Sequence, residues 1–326
     1  MQGDVSFQGY SQTAMDPSLA FDVIYGGRFE HRVLSARHSS MSHQRLVLDD
    51  VALETGSYDF AVAACGVMPK DLLCIGMVAQ GSEVARYNTA PIDTDEIQIY
   101  PPGSEVLYHA SGSSRWITFT VPEALLQSAA MARTGRPLLI PQRDPISIRL
   151  PVGGRCRLAQ VADDAFAMGR SLGPEGISGA LAEVMLRGLV DSYALALGSA
   201  APADRKRTTT AQQHLRVLLA CERLVITDDL LNVELEDIAR RSGYSRRALE
   251  LIFKRSTGMP PGRWFLNIRL NGAMRDLLLA GADCQVTDIA VRWGFRHLSR
   301  FAYQYRRAFG ELPSETLRRA SLFSPR

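Results

Sequence analysis

Hydrophobic and polar residues follow two different rhythms along this 326-residue chain. Between residues 45 and 122 the apolar positions come in short, often alternating runs: Leu46-Val47-Leu48, Tyr58 to Ala64, Leu72 to Ala79, Glu96 to Tyr100, Glu105 to His109 and Trp116 to Val121. Gly, Pro, Asp and Ser separate them. Alternation with such breaks predicts strands, and six or more at close intervals predict a β-barrel or sandwich. From about residue 155 the period lengthens to that of helices, near Arg155–Leu172 and Gly176–Leu197, parted by Gly173-Pro174. The second stretch is apolar at Leu181, Val184, Met185, Leu186, Leu189, Val190, Tyr193 and Leu197. That exceeds one narrow stripe, so the surplus covers either the barrel or a dimer seam. Ala200-Ala201-Pro202-Ala203 breaks the pattern, and 204–210 reads as an exposed linker.

The last third contains one pattern twice. Ile238-Ala239-Arg240-Arg241-Ser242-Gly243-Tyr244 returns 51 positions later as Ile289-Ala290-Val291-Arg292-Trp293-Gly294-Phe295, and Gly258 and Pro261 return after 52 as Gly310 and Pro313. Two copies are too few for a solenoid, so each is one helical module. In the first, Val233, Leu235, Ile238 and Ala239 recur at helical intervals, with Glu234, Glu236 and Asp237 toward the positive end of the helix dipole. Gly243 supplies the turn. Ser245 then caps a second helix that faces Leu249, Ile252 and Phe253 inward and Arg246, Arg247, Glu250 and Lys254 outward.

In the second copy, Val286, Ile289 and Ala290 lead to Gly294, and the next helix buries Phe301 and Tyr305. It presents His297, Ser299, Arg300 and Tyr303, with Arg306 and Arg307 toward its C-terminal end. Arginine forks onto guanine, and hydroxyls reach bases or phosphates. Between the copies, Pro260-Pro261 starts a helix whose Trp264, Ile268, Met274, Leu277 and Leu278 share a face. Residues 261–279 span roughly 28 Å at helical rise. Adjacent major-groove sites on one face of B-DNA lie about 34 Å apart, so a rigid connector of this length suits two readers of one duplex.

Residues 212 to 320 resemble the DNA-binding domain of AraC/XylS-family transcriptional regulators. The resemblance rests on Ile238-Ala239, Gly243-Tyr244-Ser245, Leu249, Phe253, Gly258, Pro261, Arg269-Leu270, Ile289-Ala290, Gly294-Phe295, Phe301, Tyr305-Arg306-Arg307, Phe309-Gly310 and Pro313. Leu251 and Leu298 depart from it, standing where members often place base-contacting residues. The resemblance implies an α+β chain: a cupin-like β-barrel sensor at 1–150, a helical connector and possible dimerisation region at 151–204, and an all-α double helix-turn-helix domain at 205–326. It also implies double-stranded DNA as partner, a homodimer and, for an activator, contact with RNA polymerase.

Charge divides the chain in the same place. Residues 205–326 hold 22 Lys plus Arg against 12 Asp plus Glu, whereas residues 1–204 hold 15 against 22, which hides a basic end and an acidic remainder in an overall +3. That is the footprint of a protein meeting a polyanion through one end. No run of 18 apolar residues and no basic-then-apolar leader is present, which predicts a soluble cytoplasmic protein without a membrane partner. Cys65, Cys74, Cys156, Cys221 and Cys284 are widely spaced, and the histidines do not cluster, so neither a metal nor a cofactor is expected. This argues against a zinc-activated DNA-repair enzyme fused to such a reader. No paired carboxylates or activated nucleophile points to catalysis of any other kind.

The remaining chemistry lies between residues 28 and 45. Arg28, Arg32, Arg37 and Arg45, with Ser35 and His38, form a basic cluster inside an acidic half. In an extended segment Arg28 and Arg32 point to the same side. Their RxxxR spacing is similar to the arginine element of PilZ-type cyclic di-GMP sites, and beside the AraC-type reader it resembles CuxR-like regulators of exopolysaccharide genes. The resemblance implies cyclic di-GMP as effector, held by these six residues in a segment that orders on binding. Two alternatives stand: a small polar metabolite, an amine or sugar, inside the barrel, and a charged loop that only keeps the barrel soluble.

Overall fold

The computed structural model describes residues 5–13, 23–35, 40–81, 85–93, 95–173, 177–202, 205–227, 235–280 and 284–323. Alternation builds its N-terminal half into two antiparallel sheets. The larger has the order β1 (Val5–Thr13), β3 (Ser40–Leu48), β4 (Val51–Tyr58), β11 (Ser114–Val121), β6 (Leu73–Gly81), β9 (Glu96–Tyr100), β12 (Ile146–Arg149), β13 (Ala201–Pro202). The smaller runs β2 (Arg28–Ser35), β5 (Ala61–Val67), β10 (Glu105–Ala110), β7 (Ala85–Tyr87), β8 (Ala90–Pro91). The sheets enclose one interior filled by Phe29, Val33, Met41, Tyr58, Tyr87, Tyr100, Tyr108 and Trp116. Among the described residues they remain two ladders and do not close into one hydrogen-bonded barrel.

Each sheet also buries its outer face. On the larger, Ile75, Ile97, Ile117 and Phe119 meet α1 (Glu123–Thr134), α2 (Gly154–Leu172) and α3 (Gly179–Gly198), with Phe119 stacked on Tyr193 at 4.1 Å between ring centroids. On the smaller, Leu34, Ala63 and Leu107 join Leu215, Leu218 and Trp264 of α4 (Arg205–Thr227) and α7 (Pro261–Leu278). The first helical module is therefore seated directly on the smaller sheet.

Two expectations change. Residues 205–210, read as a linker, begin α4, because Ala211, Leu215 and Leu218 recur at helical spacing and pack down on the sheet. Apart from residues 36–39, which lie outside the described residues, the basic segment is strand and not a loop that awaits a ligand to order it. Residues 28–35 form β2, in which Phe29, His31 and Val33 alternate with Glu30, Arg32 and Leu34, and both sets find partners.

His109, on the outer face of β10, gives this docking a pH dependence. Its ring lies 6.3 Å from that of Trp264 and neither ring nitrogen has a hydrogen-bond partner among the described residues. Burial, helped by the nearby Arg86 guanidinium, pushes its pKa down from 6.5 to about 4. The unfolded chain then binds a proton that the folded one refuses. Stability from this site is complete above 6.5 and is lost as pH falls from 6.5 toward 4, an effect on the order of 3 kcal/mol. Urea unfolding at pH 7.5 and at pH 5 should show the loss in the wild type, and His109→Leu should flatten it.

Candidate nucleic-acid interface

The first module consists of α5 (Leu235–Ser242) and α6 (Arg246–Thr257), and the second of α8 (Val286–Arg292) and α9 (Leu298–Phe309). Gly243 and Gly294 occupy the turns with φ of +74° each, and Gly258 and Gly310 end α6 and α9 with φ of +75° and +81°. The left-handed conformation at all four excludes a β-carbon cheaply only if the residue is glycine, which explains why the duplicated pattern repeats these positions. Ser245 caps α6 by accepting a hydrogen bond from the Ala248 amide at 3.2 Å. Leu249, Ile252 and Phe253 are buried, as are Phe301 and Tyr305 of α9.

The outward faces are open. Ser245, Arg246, Arg247 and Lys254 are exposed and Glu250 is half-exposed; His297, Ser299, Arg300, Tyr303, Arg306 and Arg307 are all exposed. Leu251 and Leu298 also reach solvent from these faces, where an apolar side chain can meet a thymine methyl. Arg246 is already engaged, bonded to Glu236 and, at 3.0 Å, to Glu250. In the unbound protein the acids hold that guanidinium along the helix, and a base contact must displace them. Between the modules, α7 starts with Pro261 at its first turn and ends at Leu278, one residue short of the length expected.

A basic cleft of about 310 Å³ opens beside α9, lined by Arg269, Phe295, Arg296, His297, Arg300 and Gln304 among others. The Arg269 guanidinium lies over the Phe295 ring at 5.2 Å, and burial together with the nearby Arg300 charge holds its pKa below the ordinary arginine value. His297, at the N-cap of α9, makes no side-chain cap bond. Crowded cations around a helix start suit a backbone phosphate. Replacing Arg296 with alanine should lower the slope of log affinity against log salt by about 1, uniformly across duplex sequences. Fluorescence anisotropy over a salt series measures it. Arg296 and Arg269 were not among the residues expected from the sequence to meet DNA, since neither lies on the outward stripe of a predicted reading helix.

This geometry has relatives. A helix-turn-helix domain family matches residues 238–319. A probable thc operon regulatory protein from Rhodococcus erythropolis is 46% identical over 82 residues, 25% of each chain. The XylDLEGF operon transcriptional activator of Pseudomonas putida is 41% identical over 88 residues, 27% of each. The solved structure of a probable AraC family transcriptional regulator from Rhodopseudomonas palustris CGA009 is 32% identical, covering 32% of this chain and 98% of that one, with a TM-score of 0.30. The chain carries a helix-turn-helix domain, similar in sequence to those of these regulators. It spans about a quarter of the length of the curated relatives it matches.

Of the six residues expected to hold an effector, the described Arg28, Arg32 and Arg45 do not converge. Arg28 is exposed at the start of β2. Arg32, on the same face of that strand, is buried, with Nη1 donating to Glu222 Oε2 at 2.9 Å and Nε to Glu30 Oε1 at 3.0 Å. Burial works against its charge, but the Glu222 and Glu30 carboxylates outweigh it and raise the Arg32 pKa further. Arg45 faces the other way, into the interior, and donates from Nε to Glu54 Oε1 at 2.6 Å. Ser35 ends β2 opposite Ala61, and Arg37 and His38 lie outside the described residues. The expectation of a joint, ligand-facing Arg28–Arg32–Arg45 cluster is corrected here: strand alternation sends Arg32 toward α4 and carboxylates already neutralise both buried arginines.

The interior between the sheets is tightly filled. A gap of about 20 Å³ beside Tyr87, Gln98 and Tyr100 has room for roughly one water. Buried polar atoms at Gln98 Oε1, Tyr100 Oη and Thr118 Oγ1 have no hydrogen-bond partner among the described residues. A larger cleft of about 800 Å³ lies outside the sheets, between the ends of α1 and α3 and the start of α4, lined by Leu138, Leu139, Ile140, Ile146, Leu197 and Gln212 among others. Among the described residues no three metal-ligating side chains come together, and no helix is long and apolar enough to cross a membrane.

Proposed function

We propose that the protein is a sequence-specific DNA-binding transcription activator whose N-terminal sheets sense a small effector. The observation that carries this reading is the duplicated module: two helices with open basic faces, each ended by a left-handed glycine, joined by one continuous connector helix. The regulatory roles named for its relatives agree with it. A DNA partner implies a cytoplasmic location, and an activator also meets RNA polymerase. A homodimer belongs to the proposal, with α3 as its seam, where Val184 and Leu195 remain exposed. Sedimentation velocity of the full chain tests the dimer. Anisotropy of a labelled duplex, with Arg247→Ala and Lys254→Ala as comparisons, tests the reader; salt-insensitive or absent binding would count against it.

Cyclic di-GMP remains the proposed effector in a narrower form. Arg28 is exposed and shares a strand face with Arg32, but a dinucleotide gripping both must draw Arg32 away from Glu222 and Glu30. A specific observation favours the second reading, a small polar metabolite between the sheets: Gln98 and Tyr100, whose buried Oε1 and Oη have no hydrogen-bond partner among the described residues, line the 20 Å³ gap that such a guest would widen. Calorimetric titration with cyclic di-GMP, beside GTP and cyclic GMP, separates them. Selective binding lost in Arg28→Ala supports the nucleotide. Absence of binding moves the search to the interior.

A further inference from the structure

β2 is an edge strand of the smaller sheet, and its open edge is filled by a side chain from the DNA-binding half. The Asn271 amide of α7 accepts from Val33 N at 2.8 Å and donates to Val33 O at 3.0 Å, standing in for the next strand of the ladder. A second hydrogen bond from Asn271 Nδ2, to Asn267 O at 2.8 Å, ties that amide to its own helix.

Beside it, Arg32 and Glu222 form an ion pair whose side chains are 3% and 4% exposed. The other Glu222 oxygen accepts from Trp264 Nε1 at 2.6 Å, and Glu30 Oε1 accepts from Arg275 Nη2 at 2.8 Å. One strand thereby holds α4, both halves of the connector α7 and, through Phe309 packed against the interior cluster, the end of α9. Desolvating two charges is costly, so such a pair is poor evidence of stabilisation and better evidence of registry. The reading faces of α6 and α9 stay exposed in this arrangement, so the contact does not mask them.

We propose that Arg32, Glu222 and Asn271 are positioning residues for DNA reading: by gripping β2 they set both helix-turn-helix modules in the relative geometry that engages two adjacent grooves. The inference rests on the DNA-reading function proposed above. It also gives the sheets a route to the reader, since the opposite face of β2, with Phe29, His31 and Val33, lines the interior. A guest that moves the strand moves what the strand holds, and the effect is bounded by the guest's differential affinity for the two positions.

The test uses the full-length protein and duplexes that the wild type enriches from a random pool. In the double variant Arg32→Met/Glu222→Gln no buried charge is left, and the glutamine keeps an oxygen for Trp264 Nε1. Asn271→Leu opens the strand edge independently. Both are compared with the wild type by melting temperature, by affinity for duplexes carrying two groove sites, and by affinity for duplexes cut to one. The proposal predicts near-native melting of the double variant, a loss of at least about fivefold on two-site duplexes, little change on one-site duplexes, and retention of most affinity in Arg32→Lys. Equal affinity of wild type and variants on two-site duplexes would overturn it, as would tighter binding by the variants, which would make the grip inhibitory. Should the double variant melt early, Asn271→Leu and Arg32→Lys carry the comparison. Failure of the wild type to enrich any duplex would instead overturn the DNA-reading function.

Discussion

Replacing Arg32 with alanine is expected to destabilise the protein by about 3–5 kcal/mol, the usual cost of removing one member of a buried pair. The reason is what stays behind. Among the described residues Glu222 remains almost wholly buried with only the Trp264 indole to bond it, while Glu30 keeps Arg275 and loses less. An arginine waiting at the surface for a ligand would instead change stability by no more than about 0.5 kcal/mol. Urea unfolding of Arg32→Ala beside Arg28→Ala makes the contrast internal: the first should be severely destabilised and the exposed second nearly neutral. Equal, small effects would mean that Arg32 is not the interdomain anchor described above.

The second large effect concerns Gly272, in the middle of α7. Glycine to alanine inside a helix ordinarily gains up to about 1 kcal/mol. Here the sign should reverse. A β-carbon at 272 would collide with Cη2 and Cζ2 of Trp293, whose Nε1 donates to Asp276 Oδ2 at 3.0 Å. The indole must move and its bond to Asp276 be given up, so Gly272→Ala should cost about 1–3 kcal/mol as an overpacked site. Because Trp293 ends α8, the displacement passes to the second module, and affinity for two-groove duplexes should fall more than affinity for one-groove duplexes. A more stable Gly272→Ala protein would contradict the close packing of α7 on Trp293.

The reading modules were legible because their chemistry is local. Glycine at the turns, serine at the cap and inward residues at helical spacing are fixed by the backbone of each module itself, so both modules could be placed from sequence within residues 212–320. The sheets were legible as a class for the same reason, through alternation. What escaped was nonlocal. Arg32 and Glu222 are 190 positions apart, and nothing in the residues around either one marks the other as its partner. Read alone, Arg28 to Arg45 is a basic cluster in need of an anion; for Arg32 and Arg45 the anions are carboxylates of the same chain. A weak signal did exist in β2, where polar residues alternate with apolar ones and yet Leu34 sits on the polar side, as expected of a strand covered on both faces. Asn271 offered another, a polar residue between buried Leu270 and Ala273 in the connector helix.

The most direct test of the account is selection of duplexes from a random pool by the purified full-length protein, followed by sequencing. The account predicts enrichment of paired motifs whose centres lie about one helical turn, roughly 10 bp, apart, with the second motif weakened by Arg300→Ala and the first by Arg247→Ala. A pool that stays random at moderate salt, or a single short motif indifferent to both substitutions, would contradict it.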